Sequence, residues 1–275
     1  MLSSYVVHNR GEVDLGKIAL IGGNAKDFGK LIENREDLIV ISVADNPTYE
    51  YHYRFSPGEV GKILDTLEKE GVEKVVFFGK VEKKGLFKRF FKLDLTAIKM
   101  LSQLDSFADD SILSFIVREL DKRGIKVVNQ KEIFTNHLAK EGLVVGKLDD
   151  EDIRDIEYGF MVAKRIGELG IGQTVVVKKR SVVAVEAVEG TDETITRAGR
   201  YSKDFVVVKV KRPMQSDFMD LPVVGPDTIR VIKEAGGRLI AVEAGEVIVI
   251  PGTIEIAMEL GISVYGVSGA TDSSN

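Results

Sequence analysis

The strongest constraint on this chain is a series of short apolar runs that each stop at a glycine, an asparagine or a proline. Lys17-Ile18-Ala19-Leu20-Ile21 ends in Gly22-Gly23-Asn24, Leu38 to Val43 ends at Ala44-Asp45-Asn46-Pro47, and Lys74 to Phe78 ends at Gly79-Lys80. Ile125 to Val128 is a fourth run. Runs this short and this apolar suit strands buried on both faces. Helical patterns lie between them. Ser56-Pro57-Gly58-Glu59 reads as a capping box with proline at the first helical position, opening a helix that carries Val60, Ile63, Leu64 and Leu67 on one face. Asp109-Asp110 opens another, with Ile112, Leu113, Ile116, Val117 and Leu120 at helical spacing, and acids suit that end of a helix. Alternation of strand and helix implies parallel pairing and a doubly wound sheet.

Beyond Leu138 the pattern changes. Gly142 and Gly146 flank Leu143-Val144-Val145, and the acidic run Asp149 to Asp152 follows. This stretch reads as a linker and the start of a helix from about Ile153 to Leu169. Thr174 to Lys178 and Val182 to Glu186, separated by Lys179-Arg180-Ser181, form a hairpin signal without the favoured turn residues. Phe205 to Val210, Arg238 to Val242, Val247 to Ile250 and Ser263 to Val267 supply further strands, with helices over Thr191 to Tyr201, Pro226 to Ala235 and Thr253 to Leu260. The expectation is two α/β domains. Residues 1–143 form a Rossmann-like ligand-binding domain with a doubly wound, mostly parallel sheet. Residues 144–275 form an α/β domain with a mixed sheet that carries the candidate acids. A length of 275 residues agrees with two domains at roughly 150 residues each.

Composition matters here for what it removes. The chain has no cysteine, which excludes disulfide scaffolds, cysteine zinc sites and thiol nucleophiles. His8, His52 and His137 share no spacing with one another or with acids, so there is no metal-ligand pair or triad signature. A net charge of -5 argues against a nucleic-acid partner. The apolar runs are too short for a transmembrane helix, and Met1 to Asp14 lacks the pattern of a signal peptide, so the expected location is the cytoplasm. Chemistry must then come from Asp, Glu, Lys, Arg and backbone groups, a set that fits phosphate chemistry with a hard divalent cation.

Four segments could carry it. Gly22-Gly23-Asn24 stands where open α/β sheets bind ligands, although it is neither a dinucleotide fingerprint nor a P-loop. Gly79-Lys80 ends the third strand in the same way. Glu186 to Glu193 places four carboxylates, Glu186, Glu189, Asp192 and Glu193, around a glycine turn, with Thr191 as the expected helix cap. Lys211 to Pro226 is a long irregular stretch with three prolines. In it Lys211 and Arg212 can hold phosphate oxygens, and Asp220 can ligate a cation or position water. Lys83 to Lys92 adds five cations and three phenylalanines, a composition suited to peripheral contact with anionic lipid.

Glu189-Gly190-Thr191-Asp192, then Asp220-Leu221-Pro222 followed by Gly225-Pro226 and Thr228, resemble the bacterial UDP-2,3-diacylglucosamine pyrophosphatase family of the LpxI type. Gly22-Gly23, Gly79-Lys80-Val81, Asp109-Asp110 and Ile171-Gly172-Gln173 fit the same order, from about Gly16 to Gly266. The resemblance implies a Mg2+-dependent enzyme of lipid A biosynthesis. It implies hydrolysis of the diphosphate of an amphiphilic nucleotide-sugar lipid, UDP-2,3-diacylglucosamine, to UMP and 2,3-diacylglucosamine 1-phosphate. It also implies a homodimer, held between whose domains is the ligand, and a location in the cytoplasm or peripheral on the inner membrane. On this reading Asp220 is the first choice for metal ligand or water-orienting base. Glu189 and Asp192 share its shell, and Lys211 and Arg212 hold the phosphates. Gly22, Gly23, Asn24, Gly79, Lys80, Asp109, Asp110 and Thr191 bind substrate. The residues themselves leave other classes open: a nucleotide-binding oxidoreductase, a pyrophosphatase for another nucleotide-sugar, or a non-catalytic lipid or nucleotide-sugar carrier.

Overall fold

In the computed structural model the described residues are 16–25, 27–79, 93–102, 109–213 and 221–269. They divide into two units. The first draws its described residues from 16–25 and 34–128, the second from 27–33 and 129–269.

The chain opens with β1 (Ile18–Gly22), a short α1 (Phe28–Ile32), β2 (Leu38–Ser42), β3 (Tyr53–Arg54), α2 (Val60–Lys69) and β4 (Lys74–Phe78). Helices α3 (Leu95–Ser102) and α4 (Asp109–Asp121) lead to β5 (Lys126–Val127). The first unit's sheet runs β3-β2-β1-β4-β5 and is parallel throughout, as the apolar runs require. Every residue of β1 and β2 is buried. One face of the sheet packs Ile21, Ile41 and Val75 against Val60, Leu64 and Leu67 of α2, Ala97 of α3, and Phe115 and Leu120 of α4. Each such side chain contributes about 1.5–3 kcal/mol by leaving water.

The expected capping box forms only in part. Glu59 Oε2 accepts from the Ser56 N–H at 2.7 Å, but Ser56 to Glu59 makes a turn and α2 begins at Val60. The reason is a cap from elsewhere. Asp94 Oδ2 accepts from the Gly61 N–H at 2.6 Å, and Asp94 Oδ1 accepts from the Ala97 N–H at 2.8 Å. One carboxylate thus serves the first turns of both α2 and α3.

The second unit continues with α5 (Gln130–Ile133), β6 (Gly142–Val145), α6 (Asp150–Glu168), β7 (Thr174–Lys178), β8 (Ser181–Val185), α7 (Thr191–Ala198) and β9 (Val206–Lys209). It closes with β10 (Val223–Val224), α8 (Pro226–Ala235), β11 (Leu239–Glu243), β12 (Ile248–Val249), α9 (Thr253–Leu260) and β13 (Ser263–Val267). The mixed sheet has the order β6-β13-β11-β9-β7-β8. Strands β9, β11 and β13 are parallel, while β6 and β7 run antiparallel to their neighbours. Its two faces alternate along β9. Val207 packs with Ile195, Ile229 and Ile232, on the side of α7 to α9, and Val206 and Val208 pack with Ile156 and Phe160 of α6. Gly159 lets α6 close on the sheet: a β-carbon there would stand 2.6 Å from Val208 Cγ2.

One expectation fails here. The stretch read as a linker contains β6, paired antiparallel with β13 and bracketed by Gly142 and Gly146 at φ 85° and 91°. Its apolar run is only the three residues Leu143-Val144-Val145, too short to separate a strand from a loop, and they are half-buried or exposed because β6 is an edge strand. Residues 129–143 pack with the second unit. Ala139 N–H donates to Val247 O at 2.8 Å, and Leu221 N–H donates to Gln130 Oε1 at 3.0 Å. The hairpin turn is built from Lys179 and Arg180 at φ 50° and 55°, the primed geometry that fits strand twist despite the unfavoured side chains.

Candidate functional site

In open α/β sheets, ligands bind beyond the carboxyl ends of the strands. In the first unit those ends carry Gly22-Gly23-Asn24 and Gly79. The structure brings them together: a β-carbon at Gly79, whose φ is 76°, would stand 2.9 Å from Asn24 O. The Tyr49 hydroxyl lies beneath this turn. It donates to Gly22 O at 2.6 Å and is also within 3.0 Å of Gly23 O, with Ser42 Oγ 3.1 Å away. Burial pushes the Tyr49 hydroxyl above its ordinary pKa, so it remains a donor. Gly22 is required because any side chain would strike that hydroxyl, 2.6 Å away. The Gly23 N–H is committed to Phe78 O at 2.7 Å and is not presented to an anion. α1, the next helix in sequence, has five residues, belongs to the second unit, and is preceded by Asp27 in the left-handed region. Asp109 and Asp110 are the first residues of α4, where the sequence placed them. Lys80 and the segment Lys83 to Lys92 lie outside the described residues.

In the second unit the start of α7 gathers side chains from β7 and β9 and from Glu186, the residue after β8. Thr191 Oγ1 donates to Glu186 Oε1 at 3.1 Å and accepts from Lys209 Nζ at 3.0 Å, with Thr174 Oγ1 3.4 Å away. Lys209 also donates to Val223 O at 2.9 Å. Glu186 and Lys209 are only 7% and 6% exposed. Glu186 Oε2 is buried and has no hydrogen-bond partner. Thr191 is therefore not the helix cap. That position is Gly190, at φ 86°, and no side chain caps the helix. The start of α8 adjoins it, since Thr228 Oγ1 donates to Asp192 Oδ1 at 3.0 Å. α8 likewise begins at a glycine, Gly225, without a side-chain cap. A β-carbon on Gly225 would lie 2.9 Å from Asp27 Oδ2, so a carboxylate from the 27–33 segment stands near that helix start.

The other proposed residues divide. Glu189 uses both oxygens on its own loop: Oε1 accepts from Arg197 Nη2 at 2.7 Å and Thr194 Oγ1 at 3.2 Å, and Oε2 accepts from the Ala187 N–H at 3.2 Å. A backbone amide first, and then the Arg197 guanidinium, hold its carboxyl below the usual range. Glu189 therefore shapes the turn that presents Thr191 and Asp192. Lys211 is held by neighbouring acids. Its N–H donates to Glu243 Oε2 at 2.9 Å and its ammonium lies 3.4 Å from Glu246 Oε2. Glu243, 4% exposed, also pairs with Lys164 Nζ at 2.5 Å. Arg212 lies beside α6, its Cγ 3.4 Å from where a β-carbon on Gly167 would stand. Asp220 lies outside the described residues.

Sequence reasoning did not single out Lys209, Glu243, Lys164 or Asp27. A signal existed for Lys209, the one cation within the valine run Val206 to Val210. Among the described residues no three His, Asp or Glu side chains are grouped to hold a metal. No described helix is long and apolar enough to cross a membrane.

Comparison with known proteins adds two findings. Residues 17–137 match the model of the LpxI N-terminal domain, and residues 140–265 match that of the LpxI C-terminal domain. A Caulobacter vibrioides protein named UDP-2,3-diacylglucosamine pyrophosphatase LpxI is 34% identical over 226 residues, covering 76% of this chain and 80% of that protein.

Proposed function

The chain belongs to the LpxI family, and from that premise we propose that it is an enzyme that hydrolyses the diphosphate of UDP-2,3-diacylglucosamine to UMP and 2,3-diacylglucosamine 1-phosphate. The observation that carries the reading is the agreement of both halves of the chain with the two LpxI domains, alongside a relative that bears the name of this activity. The site chemistry supports it. Diphosphate hydrolysis needs neutralisation of charge and in-line placement of water rather than a strong covalent nucleophile. The starts of α7 and α8, side by side without side-chain caps, supply positive character for phosphate oxygens, and Arg212 is proposed to add a two-point contact. Glu186 and Asp192 supply carboxylates at the same helix start.

Mg2+ dependence is part of the proposal. A hard divalent ion bound alongside phosphates takes one or two carboxylates and several waters, so it does not need a three-residue cage. The unpartnered Glu186 Oε2 and nearby Asp192 fit such an ion. The metal would supply neutralisation of diphosphate charge. Asp220 keeps the role the resemblance assigns it, orienting the attacking water or holding the metal. The Gly22-Gly23-Asn24 and Gly79 turn, pinned by Tyr49, is proposed to receive one end of the ligand. A homodimer in the cytoplasm, touching the inner membrane through Lys83 to Lys92, completes the proposal. Its support is the family pattern and the basic, phenylalanine-rich composition of that segment.

The test is direct. Purified protein, Mg2+ and UDP-2,3-diacylglucosamine are expected to yield UMP by mass spectrometry, with release abolished by EDTA. Asp220→Ala is expected to keep the fold and lose at least about a hundredfold in turnover, the scale of removing one acid-base or electrostatic group. A stable complex with no UMP would replace the enzyme by a carrier. Turnover that survives EDTA would remove the metal, and near wild-type turnover of the variant would remove Asp220 from its role.

A further inference from the structure

Lys209 is the last residue of β9, in a run whose neighbours Val206, Val207, Val208 and Val210 are completely buried. Its side chain lies on the sheet face that packs α7 to α9, since Val207 two residues earlier belongs to that core. A valine there would extend the core, whereas an ammonium must recover its lost hydration through hydrogen bonds. It finds them at two element starts. One donor goes to Thr191 Oγ1, on the first residue of α7, at 3.0 Å. Another goes to Val223 O at 2.9 Å, in β10, two residues before α8 begins at Gly225-Pro226. Glu186 Oε1 holds Thr191 from the other side at 3.1 Å, and Thr228 to Asp192 is a second tie between the same two helices at 3.0 Å.

We infer that Lys209 is a positioning residue for the proposed hydrolysis: by holding Thr191 and Val223 on one ammonium it fixes the start of α7 against the start of α8, and with them Asp192 and Glu186. The inference rests on the functional reading above and deepens it. A fixed ammonium is a stiffer tie than an apolar contact, because its hydrogen bonds set distance and direction together. Geometry of this kind bears on turnover more than on ground-state binding, since small misplacements of reacting groups lower the rate steeply. Lys209 acts through the groups it holds and is not itself placed on the substrate.

The experiment uses the full chain and compares Lys209→Met with Val207→Ala. The second variant weakens the same strand and face without touching the ammonium. Both are assayed for UMP release from UDP-2,3-diacylglucosamine well below their melting temperatures. Lys209→Met is expected to lose at least about thirtyfold in kcat, with KM within about threefold. Val207→Ala is expected to keep kcat within about threefold of wild type. A merely structural role predicts that both variants, once folded, turn over alike, and that result would overturn the inference. Should Lys209→Met fail to fold, Thr191→Val decides, because it removes the hydroxyl that Lys209 holds while preserving volume, and a KM left within about threefold separates lost positioning from lost substrate contact. A kcat loss of the same order supports the inference, and an unchanged kcat overturns it. Failure of the wild-type protein to release UMP would overturn the functional reading and the positioning role together. Turnover by the wild type and undiminished turnover by the variants would overturn the inference alone.

Discussion

A few residues do work that their neighbours in sequence do not reveal. Asp155, on α6 and 1% exposed, accepts from the Lys179 N–H at 2.9 Å and the Arg180 N–H at 2.5 Å. Those are the two turn residues of the β7–β8 hairpin, both at positive φ, a conformation that is unfavourable for side chains such as these. The carboxylate therefore supports a turn that the local sequence disfavours. Asp155→Ala is expected to destabilise the protein by about 2–4 kcal/mol, from two lost charge-assisted hydrogen bonds, as read by urea unfolding. A change below about 0.5 kcal/mol, the range of an inert surface substitution, would mean that the turn holds itself. Glu189 and Glu243 are acids of the same kind, each engaged with a loop and a cation, whereas Glu186 keeps one oxygen without a hydrogen-bond partner. The difference could not be read from composition, since all three are glutamates at or near strand ends.

Helix starts decide much of the arrangement at the scale of elements. In the first unit, α2 and α3 share the Asp94 cap. Asp94→Ala is expected to lower stability by about 1–3 kcal/mol, the value of losing caps on two helices, with exchange of the Gly61 amide accelerated. Unaltered protection of Gly61 would show that the shared cap is dispensable. In the second unit, α7, α8 and α9 begin instead at Gly190, Gly225 and Gly252, none with a side-chain cap. Helices α8 and α9 span the residues expected from sequence, because proline at the first position and glycine after the end are strong local signals. Helix α7 begins at Thr191 as expected and ends three residues early at Ala198, but Thr191 is its first helical residue and not its cap, and it spends its hydroxyl on Lys209 and Glu186.

Considered as a whole, the chain does not divide at one point. The segment 27–33, between β1 and β2 in sequence, belongs with residues 129–269. Its Phe28 and Leu31 are fully or almost fully buried, and Asp27 lies by the start of α8. Phe28→Ala is expected to cost about 3–5 kcal/mol, with lost hydrogen-exchange protection falling on the second unit rather than on β1 and β2. The reverse distribution would reassign the segment to the first unit. Sequence alone determined the α/β class, the parallel character of the first sheet and the mixed second sheet. It also ordered the motifs Gly22-Gly23, Glu189 to Asp192 and Leu221-Pro222 that carry the family resemblance. Those properties depend on local periodicity and on residues that stop a strand or start a helix, and both are written within a few positions of one another. Tertiary structure alone decided that β6 is a strand, that 27–33 leaves its neighbours, and that Lys209 meets Thr191 and Val223. Those facts depend on pairing between segments distant in the chain, where a half-exposed strand or a lone lysine is energetically acceptable only because of the partner it finds.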